Sequence, residues 1–239
     1  MLFRSVNMAR IVNGMLYVLR TGCQWRALPK DFPKWQTVYG YFHRWSQSHL
    51  WCKLNRLLRR LVRESVQRHA EASSAILDSQ SVKTTEMGVE LGYDAGKQIK
   101  GRKRHLLVDT LGLLIRVVVH SASIQDYDGG KLLLKPLRHK QPRLKKIWVD
   151  SRYKSIVEWV STHCHWVLEV VEKPKDQKGF QVLPRRWVVE RTFAWLGRSR
   201  RLSKDYERLP ETSESFIYLA MVHLMLKRLD PIPTQAKSK

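Results

Sequence analysis

The chain has 239 residues, 43% hydrophobic and 10% aromatic, enough to bury the core of one domain with a smaller accessory unit and too apolar for wholesale disorder. Its 44 Lys and Arg against 21 Asp and Glu give a net charge of +23, which repels itself unless a polyanion is near, and nucleic acid is the usual one. No run approaches the roughly 18 continuous apolar residues of a membrane span, "MLFRSVNMAR" lacks the apolar stretch of a secretion signal, and the three scattered cysteines read as reduced thiols of a cytoplasmic protein.

In chain order, residues 11–20 are apolar at helical spacing, with Thr21-Gly22 as the C-cap. Pro29 and Pro33 then force a loop. "WQTVYGYFHRW" predicts a helix with Val38, Phe42 and Trp45 on its apolar face. Leu54, Leu57, Leu58 and Leu61 predict another, with Arg56, Arg59, Arg60 and Arg63 around it. Residues 1–72 are therefore expected to form a helical, helix-turn-helix-like DNA-binding unit. A helical bundle with a solvated basic face fits the same pattern.

From residue 73 the texture changes. "SAILDSQSV" predicts a short strand ending at Asp78. A basic loop spaced by Gly88, Gly92, Gly96 and Gly101 follows, suited to tracking DNA through Lys97, Lys100, Arg102, Lys103 and Arg104. "RHLLVDTLGLLIRVVVHSAS" predicts a hairpin turning at Thr110–Gly112, with Asp109 structural. Then come a helix from "DYDGG", where Asp126 reads as a helix cap, a buried strand ending at Asp150, a helix, and a further strand. A long helix starts near Pro184 and runs through "PRRWVVERTFAWLGRSRRLSKDYE", and a last apolar helix precedes the polar tail 231–239. This succession predicts a mixed α/β domain over residues 73–230.

Three acids occupy notable places. Asp78 and Asp150 close apolar strands, where α/β sheets carry ligands, and Glu190 lies on the late helix amid arginines. Converging carboxylates repel one another and call for hard cations such as Mg²⁺ or Mn²⁺. Two such ions about 3.5–4 Å apart suit phosphodiester displacement. Arg186, Arg191 and Arg198 would then meet the DNA backbone. The competing reading is plain: an Asp after a strand is commonly a turn or helix cap, and Glu190 with Arg186 is an ordinary helix pair.

Four long segments, "LYVLRTGCQWRALPKDFPKWQTVYGYFHRW", "DSQSVKTTE", "GYDAGKQIKGRKRHLLVDTLG" and "PRRWVVERTFAWLGRSRRLSKDYE", resemble the DDE transposases of small bacterial insertion sequences, in the fifth insertion-sequence family. The resemblance spans residues 13–229. It implies a ribonuclease-H-like catalytic domain with the triad on Asp78, Asp150 and Glu190, separated by 150 − 78 = 72 and 190 − 150 = 40 residues. It further implies Mg²⁺ or Mn²⁺ as a pair of ions, nicking of element ends, and attack of the freed 3′-OH on target DNA. The implied partners are duplex DNA, both terminal repeats and target, and a second copy of the chain, in the nucleoid-bearing cytoplasm. Two departures stand out. "MLFRSVNMAR" occupies the place of a longer N-terminal region, so the expectation is a shortened DNA-recognition unit and, as the alternative function, an inactive chain that only binds DNA. Leu183 and Gly197 also stand where the superfamily pattern around Arg186 and Glu190 has Tyr and Lys.

Overall fold

The computed structural model describes residues 7–172 and 185–230. Three helices open the chain: α1 (Met8–Thr21), α2 (Trp35–Gln47) and α3 (Leu50–Ser65). Asn7 caps α1 by accepting from the Arg10 backbone N–H, and Gly22 closes it at φ 74°, a left-handed turn that glycine adopts without strain. Among the described residues six strands follow: β1 (Ser74–Lys83), β2 (Gly92–Asp94), β3 (Ile99–Asp109), β4 (Leu114–Ser121), β5 (Lys146–Val149) and β6 (Val167–Val170). Between and after them lie α4 (Asp126–Leu134), α5 (Val157–Cys164), α6 (Trp187–Gly197) and α7 (Pro210–Leu229).

β1 pairs antiparallel with β3 on one side and parallel with β5 on the other, and β6 extends the parallel edge. The far side of β3 carries β4 along residues 102–108 and β2 along residues 99–101. Alternate residues of a strand face opposite ways, and two cores result. One joins Ile76, Leu106, Val117 and Val119 to α1, α2, α3, α6 and α7. The other joins Ala75, Leu77, Leu107 and Ile147 to α4 and α5. The result is a three-layer α/β/α arrangement of the ribonuclease-H-like kind. The N-terminal helices share the first core with the sheet.

Several expectations are corrected here. β1 does not stop at Asp78 but runs on to Lys83, because Asp78 to Lys83 continue the ladder with Leu106 to Gly101. The glycine-spaced loop is in part sheet, with β2 folding onto the start of β3. On α3 the buried stripe is Trp51, Asn55, Leu58, Arg59, Val62 and Arg63, whereas Leu57 and Leu61 face out. The polar members turn inward because partners wait there: Asn55 and Arg59 donate to the Leu114 carbonyl, and Arg63 pairs with buried Asp109 at 2.7 Å. The late helix ends at Gly197, and a 3₁₀ turn at Arg200–Leu202 leads into non-helical backbone. Pro184, read as that helix's start, and the tail 231–239 lie outside the described residues.

Candidate active site

Asp78 lies mid-strand on β1, the central strand, with its side chain on the face covered by α6. Asp150 follows β5 directly and caps the 3₁₀ turn Ser151–Ile156, accepting from the Arg152 backbone N–H at 3.0 Å. Glu190 is in the first turn of α6, whose amide dipole favours an acid there. α6 is seated on the β3–β4 turn: the Thr192 hydroxyl donates to the Gly112 carbonyl at 2.9 Å and Arg191 to the Leu111 carbonyl at 3.1 Å. At Gly112 a Cβ would come within 2.9 Å of both Thr192 and Trp195, so the turn admits no larger residue without displacing the helix.

The three acids meet around one cation. Nη2 of Arg186 lies 3.7 Å from Asp78, 3.9 Å from Asp150 and 4.0 Å from Glu190. Asp78 and Asp150 are mostly buried, while Glu190 is half exposed. Burial pushes the Asp78 carboxyl up to about 6, and neighbouring Asp150 adds to the rise, against the pull of the Ser79 N–H, Arg186 and Lys97. One guanidinium thus leaves the cluster short of positive charge. Lys97, half buried at the turn into β3, donates to the Ser79 carbonyl at 3.2 Å and adds a second cation beside Asp78. Among the described residues, no group of three His, Cys, Asp or Glu side chains stands close enough to hold an ion as the chains are placed.

The other sequence-predicted DNA contacts divide. Lys100 and Arg198 are exposed and free to meet a polyanion. Arg102, Lys103 and Arg104 are buried, which corrects their reading as a DNA-tracking loop. Arg102 donates to the carbonyls of Val89, Glu207 and Arg208 and lies 3.4 Å from Asp205. Arg104 donates to the carbonyls of Leu202 and Lys204. Together they hold the segment after α6 against the sheet. Arg191 lies between the rings of Trp187 and Trp195, 4.5 and 4.6 Å from their centres, and so braces α6.

Behind the acids lies a cluster in which Asp126, expected as a helix cap, and Lys103, expected as a DNA contact, meet each other. Asp126, the first residue of α4, accepts from Ser79 Oγ at 2.9 Å, Lys103 Nζ at 3.0 Å and Arg152 Nη1 at 3.2 Å. Burial opposes its ionisation, but the Lys103 ammonium and the Ser79 hydroxyl outweigh it and hold the carboxyl down to about 2. The signal available in the sequence was Lys103 itself: a charge flanked by strand residues needs an acid, and "QDYDGG" supplies one.

The model of the transposase DDE domain matches residues 69–225, a stretch that contains all three acids. The chain belongs to the DDE transposase family. A second model, described as "Putative transposase of IS4/5 family", matches residues 3–55, the span of α1, α2 and the start of α3. The "Putative transposase for insertion sequence element IS402" of Burkholderia cepacia is 28% identical over 126 residues, half of this chain and 60% of the relative's own length. No solved structure matches the chain. No helix among its described residues is long and apolar enough to cross a membrane.

Proposed function

We propose that this protein is a transposase that cuts the ends of an insertion sequence and joins the freed 3′-OH to target DNA, with Asp78, Asp150 and Glu190 as the catalytic, metal-holding acids. The single observation that carries the reading is the convergence of these three carboxylates, from β1, from the end of β5 and from α6, on one guanidinium. Three hard oxygen donors that one arginine does not neutralise fit Mg²⁺ or Mn²⁺. A bound pair of such ions supplies charge to activate the attacking oxygen and steady the leaving one.

The chain's own residues divide the remaining work. Asp78 and Asp150 form a rigid floor on the sheet, and Glu190 closes the site from a helix pinned to the hairpin turn. Arg186 and Lys97 sit beside the acids, placed to take phosphate oxygens of an entering strand. Lys100 and Arg198 extend the basic surface away from the centre. The net charge of +23 favours duplex DNA, terminal repeats and target alike, and predicts affinity that falls steeply with salt. The active complex pairs two element ends and so requires two copies of the chain, working beside the nucleoid in the cytoplasm.

The test is cleavage of a labelled duplex bearing the element's end, with Mg²⁺ or Mn²⁺ and with chelator, by the parent and by Asp78→Asn, Asp150→Asn and Glu190→Gln. Metal-dependent nicking by the parent alone, with DNA binding kept by all four, is the expected result. Binding without cleavage by any of them would make the chain a DNA-binding remnant.

A further inference from the structure

Asp78 and Asp150 come from neighbouring parallel strands, yet the ladder between β1 and β5 ends at Ile76 opposite Trp148. Continued by two residues, the same register would place Asp78 opposite Asp150. Backbone pairing therefore stops short of the point at which the two carboxylates must be held at a set spacing. Something else has to fix it.

On the opposite face of the sheet, the buried carboxylate of Asp126 bridges the same two segments. Its Oδ1 accepts from Ser79, the residue after Asp78, and from Lys103 on β3; its Oδ2 accepts from Arg152, two residues after Asp150. Arg152 in turn holds Asp150 through its backbone N–H. The Lys103 ammonium is itself fixed, donating to the Ile124 carbonyl at 2.9 Å and lying 3.5 Å from Asp94. A second strut runs alongside, where the Tyr153 hydroxyl meets His105 Nδ1 at 3.0 Å and joins the same 3₁₀ turn to β3.

A helix cap does not account for Asp126. It stands inside α4, after Gln125, and its oxygens bond side chains of three other elements. We propose that Asp126 is a positioning residue that ties β1 to the turn after β5 and so sets the Asp78–Asp150 spacing for divalent cations, with Arg152 as its link to the second acid. This rests on the reading of Asp78, Asp150 and Glu190 as metal-holding acids.

The test measures Mn²⁺ binding to the DNA-free full chain, following the spin-resonance signal of free Mn²⁺, alongside thermal melting. Asp78→Asn serves as the reference loss. Asp126→Asn keeps the side-chain shape and removes the charge; Arg152→Gln cuts the link to the second acid and also removes a cation whose charge acts on Asp150 and Asp78, so that a loss of Mn²⁺ affinity in it cannot come from charge alone. Each is expected to weaken Mn²⁺ binding by about tenfold or more, as loss of partners behind metal ligands does, while Asp126→Glu recovers part of it. A merely structural role would lower the melting temperature and leave the affinity of the folded protein unchanged. Folded Asp126→Asn and Arg152→Gln that both bind Mn²⁺ like the parent would overturn the proposal. Should Asp126→Asn not fold, Arg152→Gln decides alone, because that side chain is half exposed and its loss leaves no buried charge on its own side. If Asp78→Asn itself leaves Mn²⁺ binding intact, the triad reading fails first and takes this inference with it.

Discussion

Replacing Arg102 separates a structural cation from a DNA contact. Its side chain is fully buried, with three carbonyls, of Val89, Glu207 and Arg208, accepting from it and Asp205 at 3.4 Å. Removing one partner of a buried pair costs about 3–5 kcal/mol, and each buried carbonyl left without a donor adds roughly 1 kcal/mol. Arg102→Ala should therefore lose about 6–8 kcal/mol, a large part of the roughly 5–15 kcal/mol that stabilises a folded domain. In a chain of this length that corresponds to a fall in Tm of about 12–32 °C. Arg102→Lys keeps the charge but not the planar fork that reaches several carbonyls at once, and should lie between. Urea denaturation followed by circular dichroism gives the stability, and DNA binding across a salt series gives the electrostatic footprint. The exposed Lys100→Ala is the contrast: unchanged stability, weaker binding, and a salt slope smaller by about 1. An Arg102→Ala protein that melts like the parent yet shows the reduced slope would refute the buried role.

Two further predictions concern the packing of α4 and α7. At Gly129 a Cβ would lie 2.3 Å from His105 Nε2 and 2.5 Å from His120 Nε2, and both rings are buried. Gly129→Ala should thus cost about 1–3 kcal/mol by lifting α4 off the sheet; a variant with unchanged denaturation midpoint would contradict this seating of the helix. Burial pushes the Glu214 carboxyl up to about 7, against the weaker pull of the Val119 N–H and Arg116. Its folded value lies above the ordinary 4.5, so its contribution to stability is complete below pH 4.5 and is lost as pH rises through about 7. Glu214→Gln keeps the acceptor for Val119 and removes the ionisation, so it should gain stability over the parent at pH 8, by at most about 3 kcal/mol. Stability curves that stay parallel from pH 4.5 to pH 8 would rule this out.

The order of elements was legible in the residues because it depends on short-range periodicity. Leucines at helical spacing, a Thr-Leu-Gly turn between two β-rich runs, and Gly22 after an apolar helix each act within a few residues. The three acids proposed as catalytic were legible too, as carboxylates placed where an apolar strand or a basic helix has no local use for them. Strand ends were less so, since β1 continues past Asp78 only because β3 lies beside it to pair with Ser79 to Lys83. Nothing within the strand itself signals that extension.

What the sequence by itself determined is the inventory: a mixed α/β chain with a strongly basic balance and three acids in a fixed order. What only the tertiary structure decided is the direction each charge faces. Arg59, Arg63, Arg102 and Arg104 read as surface cations, yet they turn inward because carbonyls and acids as far as 46 to 106 positions away meet them there. Asp126 reads as a cap, yet it joins β1, β3 and the turn after β5 for the same reason. A buried charge is stable only where its partners are already assembled, and those partners become neighbours only when the layers close.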